Sequence, residues 1–101
     1  MKTVVWSSHA RSQYLSALGF LVERNEAAAA SLSDRIEATT AALARRSVGR
    51  PGYAEGTLEK TVSGTSYVLV FELSGDELRI LRLFHMAQDW RGWRDTGADD
   101  Q

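Results

Sequence analysis

The sequence has no cysteine, a single proline (Pro51), two histidines and no long apolar run. Without cysteine there are no disulfides, no thiolate metal sites and no thiol nucleophile. No run approaches the ~20 apolar residues that cross a bilayer. The apolar start, Thr3-Val4-Val5-Trp6, meets Ser7, Ser8, His9 and Arg11 at once, too soon for a signal peptide. A cytoplasmic, membrane-free protein is expected. Histidine and acid spacings match no metal site, so metal and cofactor are expected to be absent. Gly49-Arg50-Pro51-Gly52 is no phosphate loop, because the lysine and the following helix are missing.

What is there suits one globular domain. The chain has 101 residues, 44% apolar and 25% charged, enough for one modest core. Net charge is −1, but Asp95, Asp99 and Asp100 crowd the end, and eight of the 12 bases follow residue 44. The domain is expected at residues 1–94, with 95–101 an acidic, disordered tail. The basic bias is weak evidence for an anionic partner.

Residues 3–6 are β-branched and aromatic and predict a first strand. Ser7 or Ser8 can cap a helix whose stripe is Ala10, Tyr14, Ala17, Leu18, Leu21 and Val22, ending near Arg24. Asn25 and Glu26 open a second helix with the stripe Ala29, Leu32, Ile36, Thr39 or Thr40, and Leu43, which Gly49 can close. After a loop at 47–56, strands are expected at 57–62, 66–73 and 77–85, joined by turns at 63–65 and 74–76. The apolar run at 67–71 marks a central strand. The order β-α-α-β-β-β predicts an α+β fold: a helical hairpin on one face of a mainly antiparallel four-stranded sheet.

His85, ending the last strand, is the one candidate for acid–base work. Strict alternation puts it on one face with Arg79, Leu81 and Leu83, where Arg79 and His85 could serve a phosphate ester. It could equally fix the strand end by a hydrogen bond. Arg82 falls on the opposite face, His9 reads as an exposed helix-start residue, and Glu59 and Lys60 as a solvated edge. Trp90, Arg91, Trp93 and Arg94 form a basic-aromatic cluster that could bind a partner or pack back on the sheet. Trp90 is expected to pack near His85, leaving Trp93 and the arginines to a target.

Several motifs together resemble toxins of the RelE/ParE superfamily. They are Asn25 followed by Ala27 to Ala30, the Gly49 to Gly52 loop, Gly56-Thr57 before a strand, Tyr67 opening the central strand, and Ile80 to His85 followed by Gln88-Asp89-Trp90. The resemblance covers residues 2–93. It implies the toxin of a type II toxin–antitoxin module, held in a hetero-oligomer by a cognate antitoxin. RelE-like members cut messenger RNA in the ribosomal A site, whereas ParE-like members block DNA gyrase.

The departures from the family pattern favour the second branch. Leu58 and Glu72 stand where many relatives carry arginine. Ser66 and Met86 stand near the arginine and tyrosine that join the histidine in cleavage, so of that set only His85 remains. Phosphodiester cleavage needs cations against the transition-state charge. The expectation is a non-enzymatic gyrase inhibitor, with a ribosome-dependent endoribonuclease using His85 and Arg79, or a weakened toxin, as alternatives. Leu81 and Leu83 are the expected antitoxin contacts, on a sheet face left open by the helices.

Overall fold

The computed structural model describes residues 1–87. The element order is β1 (Thr3–Trp6), α1 (Ser8–Val22), α2 (Glu26–Arg45), β2 (Arg50–Pro51), β3 (Leu58–Thr61), β4 (Tyr67–Ser74) and β5 (Glu77–His85). Among the described residues no helix is long and apolar enough to cross a membrane.

Both helices start where short polar side chains replace missing backbone partners. Ser7 Oγ accepts from Ala10 N at 3.0 Å, and Asn25 Oδ1 accepts from Ala28 N at 3.1 Å. Helix α2 stops earlier than Gly49. Arg46 turns extended, and Ser47 Oγ donates to the Leu43 carbonyl at 2.8 Å. Gly49 does a different job. A Cβ there would lie 2.8 Å from the Glu59 carbonyl oxygen and 3.0 Å from the Phe71 ring. Only a bare backbone lets the loop lie that close.

The fold is α+β, as expected, but the sheet has five strands in the order β1-β5-β4-β3-β2. β1 lies parallel to β5, and every other pair is antiparallel. The extra strand is the two-residue β2, paired Arg50 to Glu59 and Pro51 to Leu58. Proline is tolerated there because β2 is an edge. Glu59 is correspondingly no solvated edge residue. It pairs with Arg50 at 3.4 Å and accepts from Tyr53 N at 3.3 Å, tying down the loop after β2.

One core lies between the helices and one sheet face. Ala10 of α1 and Leu32, Ile36 and Leu43 of α2 meet Val62, Leu69, Phe71, Leu78, Ile80 and Leu83. Both helices therefore cover the same face. Val68, Val70 and Phe84 form a second buried cluster on the other face, so β4 is covered on both sides. Val22, placed in the inward stripe of α1 by its spacing, is half exposed instead.

A bulge in β5 decides where its side chains point. Val70 pairs with Arg82 but Phe71 pairs with Ile80, so Leu81 is the inserted residue. Pairing with β1 ends at Ile80, and Ser7 Oγ donates to the Leu81 carbonyl at 3.2 Å. Ser7 thus caps α1 and holds the bulge. Ser7→Ala should cost about 1–2 kcal/mol, a Tm drop of roughly 5–15 °C, while Ser7→Thr retains both bonds. Thermal unfolding of the two variants checks this, and an unchanged Tm for Ser7→Ala would refute it.

Candidate functional site

The bulge shifts the phase of β5 by one residue, because side chains alternate with period two. Leu78 and Ile80 face the helices, and past the bulge so do Leu83 and His85. Arg79 stays on the far side with Phe84. Arg79 and His85, expected to share a face, stand on opposite faces, six positions and about 20 Å apart along the strand. They do not share a site. Arg79 is instead engaged by two carboxylates, Glu77 at 2.9 Å and Glu72 at 3.8 Å.

His85 opens into a groove of about 500 Å³ between α1 and the ends of β4 and β5, lined by His9, Ser12, Gln13, Phe20, Tyr67 and Leu83 among others. Its ring meets Tyr67 edge-on, with centroids 5.1 Å apart. Ala87 N donates to His85 Nδ1 at 3.0 Å. Nδ1 is thereby held as an acceptor, which fixes the imidazole against the strand end. Gln13 Oε1 accepts from Leu83 N at 2.9 Å and closes the edge of β5 beyond its pairing with β1. Among the described residues no carboxylate or lysine lines this groove. It offers imidazoles and hydroxyls, and its described lining holds no acid to orient His85 as a base.

Arg82, and not Arg79, approaches the His9 side of this groove. It reaches round the edge of β5 and contacts His9 Nε2 through its guanidinium. Burial first, and then the Arg82 charge, lower the His9 pKa from its ordinary 6.5. Folded His9 therefore takes up a proton less readily than unfolded His9. Its contribution to folding is most favourable above pH 6.5 and worsens as pH falls through and below that value. Arg82→Gln should raise the His9 midpoint toward 6.5 in an NMR titration. An unmoved midpoint would show that Arg82 exerts no such field.

The expected antitoxin contacts are also rearranged. Leu83 is buried to 2% exposure in the core under the helices, so no partner can reach it. Leu81 is the half-buried bulge residue. Leu58 packs against the core, and Met86 N donates to the Ser66 carbonyl at 2.7 Å just past the strand end. Trp90, Arg91, Trp93 and Arg94 lie outside the described residues. Apolar surface is shown elsewhere: on α1, Leu15 is 61% exposed and Val22, seven positions on, is 49% exposed. Phe20 is exposed on a different side of α1, toward the His85 groove, under the Arg24 guanidinium at 3.7 Å. The signal was present in the sequence, since Leu15 and Phe20 are large apolar residues off the inward stripe.

A second groove, of about 620 Å³, runs between α2 and β3 and carries Arg35, Arg46 and Lys60. Arg35 donates there to Ser31 Oγ and to the Ser63 carbonyl, bracing the β3–β4 turn.

The fold has a solved counterpart. A chain in the structure of a chromosomal ParDE toxin–antitoxin system from P. aeruginosa superposes with a TM-score of 0.73 at 21% identity, covering 84% of this chain and 96% of that one. No curated protein matches the sequence. The family described as "ParE toxin of type II toxin-antitoxin system, parDE" matches residues 4–90, which take in every element described above except the first residue of β1, and the chain belongs to that family.

Proposed function

We propose that this ParE-family toxin inhibits growth as a protein-binding inhibitor of a DNA-replication target, DNA gyrase, acts in the cytoplasm, and is neutralised by a cognate antitoxin. The observation that carries the reading is the separation of Arg79 from His85 by the β5 bulge. A ribonuclease must aim a base and a cation at one phosphodiester. Here the histidine is fixed by Tyr67 and Ala87 on one face, and the arginine is neutralised by Glu72 and Glu77 on the other. An inhibitor that works by occupancy needs neither.

For the antitoxin, the exposed stripe of α1 fits better than β5. Leu15 and Val22 are two helical turns apart on one line, the spacing at which an amphipathic partner helix places its anchors. The target surface is assigned to Trp90, Arg91, Trp93 and Arg94, by their chemistry.

Induction of the protein in growing cells tests the target. The expected first response is SOS induction with gyrase-linked DNA breaks, and it should persist in His85→Ala. Early messenger cleavage within ribosome-protected codons, removed by His85→Ala, would overturn the proposal in favour of the ribonuclease. Trp93→Ala combined with Arg91→Ala and Arg94→Ala should retain folding and antitoxin binding but lose most growth inhibition. Full inhibition by that triple variant would move the target surface elsewhere.

A further inference from the structure

Arg50 and Arg79 each lie against carboxylates, Glu59 for the first and Glu72 with Glu77 for the second. Arg35, Arg46 and Lys60 do not: among the described residues no acid forms an ion pair with any of them. All three line the groove of about 620 Å³ between α2 and β3, and no aspartate or glutamate stands beside them in its described lining. Like charges gathered without a counter-charge repel one another, so folding alone gives no reason for the grouping.

The groove has a direction. Arg35 marks one end, where it donates to Ser31 Oγ at 3.2 Å and to the Ser63 carbonyl at 3.1 Å. Both acceptors are neutral, so the guanidinium is held in place with its charge uncompensated. Gly64 makes room for it, because a Cβ there would strike the guanidinium. Arg46 caps the other end of the groove, about 16 Å along the α2 axis from Arg35, and Lys60 stands exposed on β3 across from the helix. Between the cations the wall is small and apolar: Ala38 and Ala42, one turn apart and exposed, with Val48 half exposed at the Arg46 end. β2 pairs with β3 only at Leu58 and Glu59. Val62 N donates to the Tyr67 carbonyl, so by alternation Thr61 turns its own N–H and C=O to the outer edge, where among the described residues no strand follows.

We propose that this groove receives an extended acidic segment of the antitoxin. Carboxylates along the segment pair with Arg35, Lys60 and Arg46, and small apolar side chains between them rest on Ala38, Ala42 and Val48. Its backbone adds to the free edge of β3 at Thr61. About five extended residues cover the distance between the two arginines. A nucleic acid fits less well, because the described lining has no aromatic ring on which a base could stack. The chain as a whole also carries a net charge of −1, the wrong sign for a phosphate backbone. The inference rests on the reading that an antitoxin neutralises this protein, and it adds a second, charged contact to the apolar one on α1.

Titration calorimetry of the purified full chain against the purified antitoxin, at low and high salt, tests this. Arg46→Gln with Lys60→Gln removes two exposed charges from the groove and should lower affinity about tenfold or more at low salt. The difference should shrink at high salt, where exposed charges are screened. Lys2→Gln with Arg45→Gln removes the same charge outside the groove lining and should change affinity by less than about threefold. Equal losses in the two double variants would overturn the inference, because the overall field of the protein would then suffice. So would full affinity in the groove variant, a result that leaves the neutralisation reading standing. An unaltered chain that failed to bind the antitoxin would overturn both. Weaker retention of a single-stranded oligonucleotide by the groove variant, at unchanged antitoxin affinity, would give the groove to a nucleic acid instead. Loss of a concentration-dependent dimer in sedimentation, again at unchanged affinity, would give it to a second copy.

Discussion

Phe71→Ala is expected to lower the unfolding free energy by about 3–5 kcal/mol, a large part of the ~5–15 kcal/mol that holds such a domain together. Phe71 is fully buried in the middle of β4, between Leu58 on β3 and Ile80 on β5. Its ring also fills the space that Gly49 leaves open, since a methyl group at that glycine would come within 3.0 Å of it. Truncation removes the contact that seats both the sheet and the loop before β2. The cavity cannot collapse easily, because Leu69, Ile80 and Leu83 around it are held by strand pairing. Leu73→Ala is the control: it lies on the same strand and face but is 42% exposed, and should cost well under half as much. Urea unfolding of both variants decides the matter. Equal losses at the two positions would mean that the core is not centred on Phe71.

The helical half of the fold was legible in the sequence for a local reason. A stripe of period 3.6 and a capping side chain both act within a few residues, and Ser7 and Asn25 cap where the sequence places them. The loop at 47–56 held a surprise because β2 has only two residues. Its pairing depends on Glu59 across the sheet, a non-local partner that no window around Arg50 and Pro51 contains.

The bulge was harder, and it decided the site. Ile80-Leu81 and Leu83-Phe84 are apolar pairs, so simple alternation along 77–85 gives no clear phase. The one trace is the spacing of Arg79 and Arg82, three apart rather than two on the helix-free side of the strand. What fixes the slip is distant in sequence: Ser7 holding the Leu81 carbonyl, and the end of β1 pairing at Ile80. With the phase shifted, Leu83 moves from an expected antitoxin contact into the core, and His85 moves away from Arg79. The chemistry-bearing residues stood out in the sequence, but their grouping was a tertiary property.

On the proposed reading the antitoxin docks on α1, where the second large effect is expected. Leu15→Glu with Val22→Glu should weaken antitoxin binding by about 100-fold or more, equivalent to about 2.7 kcal/mol, as when buried interface anchors are removed. Both side chains are roughly half or more exposed in the free protein, so placing carboxylates there should change its stability by no more than about 0.5 kcal/mol. Glutamate is also compatible with a helix interior. The loss should therefore appear in partnership and not in folding. In cells, the double variant should inhibit growth even when the antitoxin is co-expressed, whereas the unaltered toxin should be neutralised. Titration calorimetry against the purified antitoxin measures the affinity directly. Neutralisation and affinity equal to those of the unaltered chain would place the antitoxin away from this face of α1. The half-buried bulge at Leu81 would then be the next position to test, because Leu83 beside it is sealed in the core.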